Sequence, residues 1–488
     1  MMDDDEQEDG RCMGGSDGEI EEYTDTEESP YAATYQSTDK LFDTDQSCWQ
    51  RFSFLITLVI VAASITSSVI TLPLYLESVN TAASAYTGLL FIAFLSTCIL
   101  GFIFLVVERI SPPPTLVPNS LKIKIPRCSL IKISSFYALA GILVTLSLDQ
   151  NRVLCHLQDP IKGITLVFSL VYYFFFCRKM MSLQRIFSST TIIVGLFISV
   201  DYELCDEFRC RGREVTGHSL AVKGSWGIRA IWTLVYVGSF AVFAMFFTLL
   251  ELHFTTGQQS ACRLLTTQHN SFLYTVSRLV SSRDIRRRGS EEEGGRLLHV
   301  TDPDPTIKQK QLPKPPIIRT LFHIHLISFL IILVFYWIDT LPGIGRGLTP
   351  KELYNILEHG FKCHFRSSIS CSNIASHGWI FLFSYIGFSI SVLNFLSMCE
   401  SAVFTVAATT ISLPLSGIWW SIYKMNVGPN GGTISWSPGV TGELICALLG
   451  LPVVLLGLGL LIRSHFKDTQ PVYQNIPAPD IHREVYHR

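Results

Sequence analysis

Residues 84–107 read SAYTGLLFIAFLSTCILGFIFLVV, twenty-four positions without one charge. As an α-helix such a stretch is about 36 Å long, enough to cross a hydrocarbon core of roughly 30 Å. The same reading works outward in both directions. Apolar blocks fall at 52–75, 84–107, 130–149, 158–177, 184–201, 227–250, 317–340, 377–398, 400–422 and 440–462. The chain has 488 residues, 48% hydrophobic and only 16% charged, against about 25% charged in soluble domains. Its mean hydropathy is +0.34. The charges crowd into the tails and a few loops. The expected fold is therefore an all-α integral membrane protein with ten transmembrane helices.

Residues 1–50 are acidic, with Asp3, Asp4, Asp5, Glu6, Glu8 and Asp9 leading. They lack the basic and apolar regions of a signal peptide and read as a disordered cytosolic tail. Short loops that carry lysine and arginine stay in the cytosol. Arg109, Lys122, Lys124 and Arg127, then Arg178, Lys179 and Arg185, then Arg463 and Lys467, put both ends there. Loop 202–226, with Arg209, Arg211 and Arg213, dissents.

The expected organisation is a first five-helix repeat over 51–201, a lumenal loop 202–226, a sixth span 227–250 and a long cytosolic loop 251–316. Spans seven to ten occupy 317–462, with a lumenal cysteine loop at 341–376, and 463–488 is a cytosolic tail. Five spans per half insert the second half upside down. Two inverted five-helix repeats are a recurrent transporter plan, with the solute site between the halves.

Cysteine pairs in the lumenal loops, Cys205 with Cys210 and Cys363 with Cys371, are disulfide candidates, and pairing between the two loops stays open. Zinc at Cys363, His364 and Cys371 is the alternative. No P-loop, dinucleotide fingerprint, nucleophile constellation or metal-binding helix is visible, so no enzyme, cofactor or resident metal is expected, and no nucleic-acid partner.

Polar residues in or beside spans are costly and mark candidate solute or proton pathways. These are Asp149, Gln158, Asp159, His323, Asp339, Asn394, Thr409, Ser412 and Ser416. His323 and His325 face different directions on a helix, so one of them at most lines a cavity. A cavity walled by spans one, three, four, six, eight and nine is expected, with Tyr137 and Tyr385 offering aromatic faces to a cation.

The segment Leu348-Thr-Pro-Lys-Glu-Leu-Tyr354, then Gly360-Phe-Lys-Cys363 and Cys371, then Ser401-Ala-Val and Ser412-Leu-Pro414-Leu-Ser416, resembles the chloroquine-resistance-transporter-like family of the drug/metabolite transporter superfamily. Phe136-Tyr-Ala-Leu-Ala-Gly141 and Gln158-Asp-Pro160 are similar to its first half. The long loop 251–316 and Arg178-Lys179 after the fourth span depart from its pattern. The resemblance implies a secondary-active, proton-linked carrier of amino acids, short peptides, thiols or organic cations, working by alternating access. A nucleobase or nucleotide-sugar carrier and a non-transporting scaffold or receptor are the rival readings.

Glu293-Gly-Gly-Arg-Leu297-Leu298 and Tyr473-Gln-Asn-Ile476 read as sorting signals for clathrin adaptors. With the expected lumenal disulfides they point to a late endosomal or lysosomal (vacuolar) membrane. Membrane lipid, protons and a small solute are the other expected partners.

Overall fold

The computed structural model describes residues 30–110, 127–149, 152–153, 155–177, 181–200, 209–210, 213–214, 226–255, 317–366, 371, 373–428 and 431–469. The sorting residues Glu293, Leu297, Leu298, Tyr473 and Ile476 lie outside these, as do Cys205 and the side chain of Cys210. Two compact units divide the chain, residues 1–53 and residues 54–488. In the first, the described residues are helical from Pro30 onward, where the acidic composition led us to expect disorder.

The helices are α1 (Pro30–Ala82), α2 (Ala85–Ile110), α3 (Arg127–Leu148), α4 (Cys155–Tyr172) and α5 (Leu183–Ile198). They continue with α6 (Trp226–Thr255), α7 (Ile317–Val334, extended by a 3-10 turn Phe335–Thr340), α8 (Pro350–Phe365), α9 (Ile374–Cys399), α10 (Ala402–Thr410), α11 (Ser412–Ile422) and α12 (Gly442–Thr469). Among the described residues nine helical spans are long and apolar enough to cross a membrane. Their bounds follow the apolar blocks closely. The fifth block forms only the 16-residue α5, about 24 Å of helix, which falls short of the others.

The outside of the bundle is apolar. Phe102, Leu105, Phe187, Phe197, Leu234 and Leu456 are each at least 60% exposed, an arrangement that water would not tolerate and lipid does. The most enclosed spans are α9 and the α10–α11 pair, with 61% and 72% of their central windows buried. That places them at the centre. Between α10 and α11 the helix breaks at Ile411. Pro414 has no N–H to offer the carbonyl of Thr410, so the ladder cannot run through.

α5 and α12 form the closest helix pair. A Cβ on Gly195 would lie 2.7 Å from the Val454 nitrogen, and one on Gly457 would lie 2.9 Å from the Ile192 nitrogen. Small residues let the two backbones meet, which is how helices associate where lipid removes the hydrophobic drive. Other close pairs are α2 with α7, α3 with α7, α4 with α10, and α11 with α12.

Three elements lie outside the expected organisation. Within the 341–376 loop lies α8, an amphipathic helix started by a capping box in which Thr349 and Glu352 satisfy each other's backbone N–H, with Pro350 in the first turn. Gly360 seats α8 on α2, since a Cβ there would lie 2.8 Å from Thr87 Cγ2. After α11 comes the hairpin of β3 (Tyr423–Gly428) and β4 (Gly431–Trp436). A two-residue ribbon, β1 (Arg209–Cys210) with β2 (Arg213–Glu214), lies in the loop before α6.

Candidate functional site

A cavity of about 260 Å³ opens inside the bundle, walled by α1, α2, α3, α4, α6, α7 and α9. Its lining residues include Leu72 and Leu76 near the end of α1, Leu89 and Ala93 near the start of α2, and Tyr137 to Leu148 in the second half of α3. The cavity thus occupies the half of the bundle nearer α8. Helices α2 and α7 contribute to the wall where we had not expected them, and α10–α11 contributes no lining residue. The central α10–α11 pair packs against other helices instead.

Most of the lining is apolar or aromatic, and its polar groups are few. Lys162 and Gln158 lie one turn apart on α4, the spacing that puts two side chains on one face. Gln158 Nε2 donates to the Val153 carbonyl at 3.1 Å. Lys162 Nζ donates to Asp159 Oδ1 at 2.6 Å, and the Asp159 side chain is 46% exposed.

At the deep end, the floor, the Tyr137 and Tyr385 hydroxyls hydrogen-bond to each other. His325 stands edge-on to both rings, at 5.5 and 5.7 Å. Its Nδ1 meets Ser96 Oγ at 3.3 Å. Its Nε2 is buried and has no hydrogen-bond partner among the described residues. A buried polar atom left unpaired costs about 1–3 kcal/mol, so its persistence in a cavity wall asks for a ligand or water as partner. Below the floor a void of about 20 Å³ shares Tyr137, His325, Phe243 and Phe388 with the cavity and is closed by Phe246, Phe247, Leu321, Ile324 and Leu393.

Toward α8, outside the cavity lining, lies a network of charges. Arg346 reaches Asp149 Oδ1 at 3.5 Å and Asn80 Oδ1 at 3.2 Å. Arg152 lies 3.9 Å from Asp149 Oδ2 and 4.3 Å from the Trp232 ring centre. It also donates to the carbonyls of Leu146 and Ile344. Burial lowers the Arg152 pKa, opposed by Asp149 and Asp339. Asp339 accepts from Ser84 Oγ at 2.6 Å, and its backbone carbonyl accepts from the N–H groups of Arg346 and Leu348. The network ties the ends of α1 and α3 and the start of α2 to the segment after α7.

Of the nine polar residues singled out in the sequence as pathway candidates, only Gln158 lines the cavity, while Tyr137 and Tyr385 both line it. Asp149 and Asp339 belong to the charged network above. Asp159 pairs with Lys162. Thr409, Ser412 and Ser416 each donate to a carbonyl three residues back, and both serines are buried in helix packing. Asn394 is partly buried on α9 and away from the lining. His323 bonds to the Arg319 carbonyl at 2.6 Å instead of facing the cavity. His325 is the histidine that lines it. It shares the buried stripe Leu321, Ile324, Ser328 and Ile332, and that spacing was readable on a helical wheel.

Cys363 and Cys371 are joined by a disulfide. His359 Nε2 lies 3.6 Å from Cys363 Sγ, and these three residues are the grouping that could hold a metal among the described residues. A disulfide offers no thiolate, so the paired state does not bind zinc. His364 turns away from the sulfurs. Its Nδ1 meets the Gly360 carbonyl at 2.6 Å, its Nε2 meets the Tyr75 hydroxyl at 2.8 Å, and its ring stacks on Phe91 at 3.6 Å. Burial pushes its imidazole down to about 4, against the opposing pull of the Gly360 carbonyl.

No family model matches the chain, and no curated protein matches it in sequence.

Proposed function

We propose that this protein is a secondary-active carrier of small organic solutes, built from ten spans in two inverted five-helix halves and working by alternating access. We assign it to the chloroquine-resistance-transporter-like type that its motifs resemble. The observation that carries the reading is the cavity itself. Its wall takes helices from both halves, a smaller void walled by phenylalanines adjoins its floor, and His325, whose buried Nε2 has no hydrogen-bond partner among the described residues, lines it. A solute site between halves near the midplane is the arrangement such carriers use.

The helix pairing supports the inverted repeat. If α6, α7, α9, α10–α11 and α12 repeat α1 to α5, the corresponding helices pair: α5 with α12, α2 with α7, and α4 with α10. Tyr137 on α3 and Tyr385 on α9 then form a hydrogen-bonded pair related by the same operation.

On this topology the α8 end is lumenal, which agrees with its disulfide. His325 is the best-placed group to carry a proton with the solute. The two adaptor-type motifs argue for an endolysosomal membrane.

Uptake into proteoliposomes under an imposed pH gradient tests the reading, with pooled amino acids, dipeptides, thiols, nucleobases, and organic acids and bases. Saturable, gradient-dependent uptake that His325→Leu abolishes is the expected result. Folded, correctly inserted protein that moves none of the pools would overturn it in favour of a scaffold.

A further inference from the structure

The charge pattern of the cavity narrows its solute. Among its lining residues there is no aspartate or glutamate, and the only formally charged one is Lys162. Its partner Asp159 is nearly half exposed and lies outside the lining. Water therefore screens the carboxylate more strongly than it screens the ammonium, whose side chain is 20% exposed. A cationic solute would meet a like charge in a largely apolar space, with aromatic faces as its only compensation. An anionic solute would meet an ammonium able to donate a charge-assisted hydrogen bond.

The remaining surface fits a flat apolar body. Tyr75, Tyr236, Phe240, Phe381, Tyr385 and Phe388 supply aromatic faces along the wall, and stacked or edge-on rings prefer such neighbours. At the floor the buried His325 Nε2 has no hydrogen-bond partner among the described residues. A volume of about 260 Å³ falls just below the roughly 300–1,000 Å³ of drug-sized sites, which favours a compact solute over a peptide.

We propose, resting on the carrier reading above, that the cavity takes a compact aromatic or strongly apolar organic anion, with its acid group at Lys162 and its apolar body against the tyrosine and phenylalanine wall. Organic cations are disfavoured, contrary to the expectation drawn from the aromatic residues alone. A proton carried with such an anion makes the transported pair electroneutral, so the polarity of the site and proton linkage are compatible.

The test uses full-length protein in nanodiscs and three probes of one shape: indole-3-propionate, indole-3-propionamide and tryptamine. Binding is read by competition against radiolabelled indole-3-propionate and, separately, by direct binding of each labelled probe. The acid should bind saturably and at least roughly tenfold more tightly than the amine, with the amide between. Lys162→Gln should weaken the acid by about tenfold and leave the amide unchanged. Asp159→Asn, which frees Lys162 from its competing carboxylate, should tighten the acid, a gain that a misfolded variant cannot produce. Equal or tighter binding of tryptamine, a loss in Lys162→Gln shared by all three probes, or no binding of any probe overturns the assignment. Pooled-solute uptake separates the two levels. Uptake of another class with these probes unbound sinks the aromatic-anion assignment and leaves the carrier, whereas no uptake of any pool sinks the carrier itself.

Discussion

Tyr137 and Tyr385 meet hydroxyl to hydroxyl at the cavity floor, joining α3 to α9, with His325 edge-on to both rings. Three polar side chains from three helices thus converge in a largely apolar wall. Packing alone does not call for them.

His325 separates function from structure. Its Nε2 is buried without a partner, so His325→Leu removes an unsatisfied atom and should leave stability unchanged or raise it by up to about 1 kcal/mol. Uptake should fall at least tenfold in the same variant. Thermal unfolding together with proteoliposome uptake checks both, and intact uptake would remove His325 from the pathway.

The charged network near α8 should behave as one unit. Arg346→Ala leaves Asp149, 3% exposed, with only the longer contact to Arg152, and should cost about 3 kcal/mol. Adding Asp149→Asn should restore part of that loss, because the buried carboxylate that lost Arg346 is then neutral. A double-mutant cycle with additive losses would show that the pair is not coupled.

The α5–α12 contact makes a sharp comparison within one helix. A Cβ on Gly457 would meet Ile192 Cγ1 at 2.6 Å, whereas one on Gly459 meets nothing within 4 Å. Gly457→Leu should abolish the monodisperse peak in detergent size-exclusion, and Gly459→Leu should preserve it. Equal behaviour of the two would disprove the close packing.

His364 should make stability depend on pH. Its folded value of about 4 lies below the unfolded value of about 6.5, so between these limits the unfolded chain binds more protons. Stability is therefore full above about pH 6.5, falls as pH drops and levels out near 4. The total loss is about 3 kcal/mol, from a difference of about 2.5 units. The facing titratable group is Tyr75, which stays neutral throughout this range. His364→Gln should flatten that part of the profile in thermal unfolding from pH 7 to 4. An unchanged slope would assign it to other groups.

The spans were legible because each is a local pattern: a run of apolar residues long enough to cross lipid, bounded by charge. The α8 capping box, Thr349-Pro-Lys-Glu352, was equally local. It went unread because the segment counted only as part of the lumenal cysteine loop 341–376. The β3–β4 hairpin had its sign in the Pro429-Asn-Gly-Gly432 run between β-prone segments. The choice of cavity residues was far less legible. Asp149, Asp339 and Asn394 stood out because charge and amide are rare in spans, but rarity does not distinguish a carboxylate held in an ion network from one facing a solute.

The sequence by itself determined that the chain is a bundle of apolar helices, roughly where most of its spans lie, and that cysteines 363 and 371 lie close enough in sequence to pair. These depend on hydropathy and spacing along one strand of chain. Only the tertiary structure decided that Lys162 brings the lining its one charge, and that Asp339 and Asp149 join two arginines in one network. Those outcomes depend on how each helix is rotated about its axis and on which neighbours it meets. Both are set by packing between residues hundreds of positions apart, and no local pattern records it.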